Sequence, residues 1–290
     1  MKPFKYDARK RPKPPGKDGG SAADAPKRDV IHTRIWREEA ALDNPFASDV
    51  AYCHGYDVYG EMVGHARWVE MLYLLFRGER PSASQADLLE ALAVAMANPG
   101  PRDPSVHAAM CGGIGGSTAA ASLIAALAVG AGSLGGGREV FLIMKGWETC
   151  GRDLDAWSTW ISEPLDLPTD VWPEPEHPPG FDPHGVSTTR LVLTTVTKLS
   201  AFPGTPSIQW LGLHRAALEH AAGGLPLAFS GVVAAALHDL GFSAAQGEML
   251  HLMLRLPGAA AHALEQWEQY DFRQFPWHPV RLDNVPKGRR

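Results

Sequence analysis

The chain has 290 residues, 45% hydrophobic and 20% charged, with 27 Lys and Arg against 32 Asp and Glu and a net charge of -5. This is a globular composition with enough apolar residues for a sizeable core, and its slightly acidic balance argues against nucleic acid or an anionic membrane as the main partner. The three cysteines, Cys53, Cys111 and Cys150, are odd in number, far apart and in no CxxC spacing, so a reduced, cytoplasmic protein is expected, without a disulfide framework.

Residues 1–30 are rich in Pro, Gly and Lys and nearly free of apolar side chains. They bury too little to repay ordering, so a disordered basic tail is expected. The first residues are polar, unlike a signal peptide. Residues 31–36 and 49–58 read as short strands or turns. From residue 66 the spacing turns helical through WVEMLYLLF, and Gly78 and Pro81 end that helix. Ser84 is expected to cap the next one, ASQADLLEALAVAMAN, which stops at Gly100 and Pro101.

A helix opens at Pro104 and runs to the glycine cluster 112–116. The Ala-rich run 117–129 reads as a buried core helix, because a membrane span needs about 20 apolar residues. A Gly-rich bend over 130–137 leads to helices over 139–149 and 153–161. Residues 165–184 form a Pro-rich loop. Further helices are expected over 188–199, 214–222, 228–240, 244–254 and 259–270. Segment 191–196 is rich in Val and Thr, but its length and neighbours favour helix. Strands do not alternate with helices, so the fold class is all-α.

Four polar features sit where helices meet loops: His107, the triple glycine 135–137, the stiff loop Pro178-Pro179-Gly180-Phe181-Asp182-Pro183-His184, and Arg255 in an apolar helix end. Each has an ordinary structural reading: a hydrogen-bonded histidine, a helix cap, a turn, a paired arginine. The triple glycine is no phosphate loop, since no Gly-Lys-Ser/Thr follows it. The remaining histidines are scattered without HExxH or similar spacing, so no metal is assigned. No GxSxG elbow is present.

Taken together, ordered segments from about residue 50 to 270 resemble the citrate synthase superfamily, which includes citryl-CoA lyase. His54-Gly55-Tyr56-Asp57 resembles its RGYD, and WVEMLYLLFRGERPSASQ its helix ending in LLxGELPT. Ser105-Val106-His107 resembles its SxH stretch, GSLGGGREVFLIM its LHGGANEAVLEML or the lyase-type FGGALDAA, and PPGFDPHG its IPGFGH. AFSGVVAAALHDLGF resembles NVDGALAALLxDLGL, and LRLPGAAAHALEQWEQ resembles ARLPGWIAHALEQ.

The resemblance implies an all-α, citrate synthase-like fold with a large helical domain (31–150 and 226–290, with a C-terminal arm) and a small one (151–225). It implies a homodimer that handles an acyl-CoA and a di- or tricarboxylic acid, with no membrane partner. It implies no tightly bound cofactor, the coenzyme A thioester being a substrate. In that chemistry a carboxylate base enolises the thioester, the enol attacks a 2-oxo acid polarised by imidazole, and arginines hold the carboxylates. A lyase runs the carbon–carbon step in reverse.

By position, His107 matches the family's carbonyl-polarising histidine and His184 the loop histidine that helps bind the oxo acid, with Asp182-Pro183 inserted into the latter motif. Arg190 and Arg255 match substrate arginines, Arg273 or Arg281 would reach a partner subunit's site, and Gly180 and Phe181 would lie near coenzyme A. Gly135 replaces the histidine that acts on the thioester carbonyl, as in lyase-type members. Ser230 replaces the base carboxylate, and serine is a poor base without an activating partner; Asp182 could supply a displaced carboxylate. A citryl-CoA lyase-like enzyme is therefore expected, the alternative being a catalytically inactive member acting as a ligand sensor or partner subunit.

Overall fold

The computed structural model describes residues 31–163 and 177–269. The chain divides into two compact units, Met1–Asp87 and Leu88–Arg290.

In the first unit, β1 (Trp36–Ala40), β2 (Ser48–Cys53) and β3 (Tyr56–Asp57) form an antiparallel sheet in chain order. His54 and Gly55, both at positive φ (47° and 89°), turn the chain between β2 and β3. One π-helical turn follows over Val58–Met62, with Asp57 accepting from the Gly60 N–H. Next, α1 (Trp68–Arg77) ends on Gly78 in the left-handed region, as its sequence predicts. The following helix, α2 (Ala83–Met96), crosses into the second unit. Its cap is Ser82 and not Ser84. The Ser82 hydroxyl accepts from the Gln85 N–H (3.2 Å) while the Gln85 side chain accepts from the Ser82 N–H (2.9 Å). This reciprocal box satisfies two otherwise unpaired donors.

The second unit is helical throughout its named elements: α3 (Pro104–Ile114), α4 (Ala119–Gly130), α5 (Gly137–Cys150), α6 (Leu154–Ser162), α7 (Arg190–Leu199), α8 (Pro206–Ala221), α9 (Phe229–Asp239) and α10 (Ala244–Glu268). Its centre is α9, an apolar run with residues 232–237 all at 0% exposure. Around it pack α5, α7, α8 and α10. Trp147 of α5 meets Trp157 of α6 (5.0 Å), Trp210 of α8 (5.6 Å) and the His238 ring of α9 (5.4 Å, stacked), tying four helices together. Asp239 at the end of α9 accepts from the Ser207 and Ile208 N–H groups (2.8 and 3.0 Å), capping α8 from another element. That helix therefore begins at Pro206 rather than at residue 214, with proline in its first turn.

Two expected breaks are absent. Against the expectation that the glycine cluster would end it, α3 runs on through Gly112 and Gly113, because α10 lies against it. A Cβ on Gly113 would sit 2.1 Å from the Ala263 carbonyl oxygen, so only glycine permits this approach. The two expected helices at 244–254 and 259–270 form one, α10, with Pro257 inside it. Proline normally breaks a helix by removing a donor and crowding the preceding turn. Here the next N–H, on Gly258, leaves the helix ladder and donates to the Ala97 carbonyl at 2.7 Å.

Candidate functional site

The loop after residue 177 is fastened to the segment before α9. The Ala228 N–H donates to the Gly180 carbonyl (2.8 Å), the Asp182 N–H donates to Pro226 (2.9 Å), and Phe181 pairs with Leu227 as an isolated bridge. The Leu227 N–H reaches the Glu219 carboxylate (3.1 Å), which also takes the Thr188 hydroxyl and Arg215. These bonds hold Ser230, in the first turn of α9, against the loop. Gly231 makes the approach possible, since a Cβ there would lie 2.8 Å from Leu227 Cδ1 and 3.2 Å from the Gly180 oxygen.

Behind Ser230 lies Glu139, in the first turn of α5 and 1% exposed. Its Oε1 accepts from the Gly180 N–H at 2.7 Å, and its Oε2 accepts from the Gly135 N–H. One carboxylate thus joins the glycine bend before α5 to the Gly180 loop. Burial pushes the Glu139 carboxyl above its ordinary range; both backbone bonds and Ser230 pull it partly back, and Asp182 adds to the rise. The Ser230 hydroxyl, 4% exposed, is close enough to favour the ionised Glu139 but has no partner at hydrogen-bond geometry. His177 Nε2, also buried without a hydrogen bond, stands 4.0 Å from Glu139 Oε1. Burial lowers the His177 pKa; Asp182 opposes that, and His184 adds to it.

A second node surrounds Arg255, which is 8% exposed. Its Nη1 donates to the Gly135 carbonyl (3.0 Å) and to His251 Nε2 (2.8 Å), and its Nη2 pairs with Asp103. The other Asp103 oxygen accepts from the Ser105 N–H (2.9 Å) and hydroxyl (2.5 Å), capping α3. His251 is 2% exposed and its pKa falls to about 3, first through burial and then through Arg255, with the Gly135 backbone opposing. The imidazole is therefore neutral and offers Nε2 as an acceptor. Gly135, at φ 67°, serves both nodes through its backbone, giving its N–H to Glu139 and its carbonyl to Arg255.

The residues expected from sequence divide between these nodes and the surface. Gly180, Asp182 and Ser230 belong to the first node, and Arg255 to the second. His184 is exposed at the edge of the first, its N–H donating to Asp182 (2.9 Å). Phe181 is buried and lines an apolar cavity with Trp147, Trp157 and Trp210. His107 on α3 and Arg190 at the start of α7 are exposed, and no hydrogen bond or ion pair among the described residues joins them to either node. Arg273 and Arg281 lie outside the described residues. Glu139, His177, Asp103 and His251 were not singled out from sequence. The only hint of Glu139 is an acidic residue in a helix's first turn just after a triple glycine, where the helix dipole favours it.

Among the described residues, no group of three His, Cys, Asp or Glu is arranged to hold a metal ion, and no helix is long and apolar enough to cross a membrane.

The sequence matches no protein-family profile and no curated protein. Solved structures do match. Citryl-CoA lyase from Hydrogenobacter thermophilus is similar at a TM-score of 0.66 and 18% identity, over 89% of this chain and 96% of that one. ATP citrate lyase from Methanothrix soehngenii, solved with citrate and coenzyme A, is similar at a TM-score of 0.68 and 15% identity, over 91% of this chain but only 43% of that longer one. Citrate synthase from Thermoplasma acidophilum, in a ternary complex with carboxymethyl coenzyme A and oxaloacetate, is similar at 0.52 and 16% identity, over 77% of this chain and 60% of that one.

Proposed function

We propose, on the premise that this chain has the citrate synthase-superfamily fold, that it binds a coenzyme A thioester and a di- or tricarboxylic acid and acts like citryl-CoA lyase. The reaction would cleave or form the carbon–carbon bond between the acyl group and a 2-oxo acid. The observation that carries this reading is Glu139 set against Ser230. Ser230 occupies the motif position of the family's base, so a carboxylate supplied from α5 stands beside the place where one is missing. Enolisation moves a proton from the thioester α-carbon to a carboxylate; in cleavage, the hydroxyl of the substrate gives its proton to solvent as the carbon–carbon bond breaks and its carbon becomes the 2-oxo carbonyl, and the enolate left behind takes a proton from the carboxyl. A carboxyl whose pKa is raised holds and returns a proton more readily than an ordinary carboxylate.

In this reading His184 and Arg190 face the acid from the surface, Arg273 or Arg281 completes the site of a second subunit, and Gly180 and Phe181 adjoin coenzyme A. The protein works in the cytoplasm as a homodimer, with residues 151–225 forming the small domain. An apolar groove of about 250 Å³ supports a dimer: Leu123, Ala263, Leu264 and Trp267 line it between α4 and α10.

A second reading, a non-catalytic ligand sensor or partner subunit, is favoured by two observations. Arg255 is already committed to Asp103, and His107 stands apart from both nodes. Purified protein mixed with citryl-CoA separates the two readings. Oxaloacetate release that falls at least 100-fold in Glu139→Gln supports the lyase reading. Calorimetric binding of coenzyme A and citrate without release supports the sensor. Absence of both release and binding contradicts either.

A further inference from the structure

We infer that Asp103 is a specificity-determining residue of the proposed acid site: a carboxylate built into the chain that pairs with the Arg255 guanidinium, so that a ligand carboxylate competes with it for that charge. This rests on the reading of Arg255 as an acid-binding arginine.

A guanidinium carries five N–H donors in a planar fork. His251 and the Gly135 carbonyl take both Nη1 donors, and Asp103 takes Nη2. The Nε–H and one Nη2–H remain, so a second carboxylate reaches the fork only beside Asp103. A ligand carboxylate arriving beside Asp103 would also meet a like charge within about 4–6 Å, which disfavours both ions. Two facts separate this pair from a sealed core contact. The Arg255 and Asp103 side chains keep 10% and 16% of their surface exposed. Arg255 also lines a small cavity with Ser105, Gly130 and Leu252. His251, neutral at its low pKa, brings no second cation to share the load.

An intramolecular competitor acts at a high effective concentration. An acid that has only this one contact cannot displace Asp103. One anchored elsewhere, through a second carboxylate or a thioester arm, can. The site therefore favours polycarboxylic acids over monocarboxylic ones. Displacement has a local consequence, because Asp103 also caps α3 through the Ser105 N–H.

Calorimetric titration with citrate and with acetate tests this on the full chain and on Asp103→Asn and Asp103→Ser, both of which keep a capping side chain without the charge. The expected result is citrate affinity at least tenfold higher in both variants. Asp155→Asn, the loss of an exposed carboxylate on α6, should change it less than twofold. Wild-type protein should bind citrate but not acetate. Citrate binding that is equal or weaker in both Asp103 variants overturns the proposal. If the variants do not fold, amide hydrogen exchange on wild type decides: saturating citrate should speed exchange at Ser105, and unchanged exchange overturns the proposal. If citrate binds to no form of the protein, the acid-site reading itself fails and takes this proposal with it.

Discussion

Among the described residues, His251 is the one whose protonation the fold most strongly opposes, and its effect on stability has a definite sign. Its pKa is about 3 in the fold, against about 6.5 in an unfolded chain. Between those values the unfolded chain binds the extra proton, so stability rises with pH and is lost on acidification from 6.5 towards 3. The expected slope is about 1.4 kcal/mol per pH unit for this one group. Denaturant titrations from pH 7 to 5 should show it, and His251→Gln should remove it; an equal slope in the variant contradicts the assignment. Glu139 has the opposite sign. Its pKa is raised in the fold, so the folded chain holds the proton longer, and stability declines as pH rises from the ordinary carboxylate range to the raised value. The unfolding free energy of wild type relative to Glu139→Gln should fall across that window; a relative rise refutes the burial account. At this scale the sequence was half legible. Ser230 and Arg255 could be found because motifs flank them. Asp103, Glu139 and His177 could not, because each gains its role only when α3, α5 and the 177–184 loop meet partners distant in sequence.

Among the helices, periodicity and caps read best where a helix is governed by its own residues. Gly78 ends α1 as expected, and α5, α6, α7 and α9 lie within a few residues of their sequence-based bounds. Three of the misreadings share one cause, a neighbouring element that overrides a local signal. Asp239 of α9 caps the start of α8. Ala97 satisfies the Gly258 N–H and lets α10 pass through Pro257. The approach of α10 turns Gly113 from a breaker into a requirement. Gly113→Ala therefore measures that approach: the added methyl has no room beside Ala263, and overpacking of this kind costs about 1–3 kcal/mol. Thermal and denaturant unfolding should register the loss. A neutral or stabilising result, expected of glycine to alanine in an open helix, contradicts the close crossing of α3 and α10.

For the molecule as a whole, the all-α class was legible from periodicity, whereas assembly depends on surfaces that no local pattern identifies. The groove between α4 and α10 carries Leu264 and Trp267, each 53% exposed, and Ile124 on α4 is 64% exposed. A patch of this kind marks an interaction surface more often than open solvent. If the proposed homodimer uses it, sedimentation should give a dimer, and Leu264→Glu should shift the equilibrium to monomer at least tenfold with helicity unchanged. A wild-type monomer at all concentrations contradicts the proposed homodimer. The lyase and sensor readings share one requirement, that a single chain takes both a coenzyme A moiety and a polycarboxylic acid. Calorimetric titration of coenzyme A into citrate-saturated protein tests it most directly: one coenzyme A per chain, bound on top of citrate, is the predicted result, and the absence of heat for either ligand alone or in combination contradicts it.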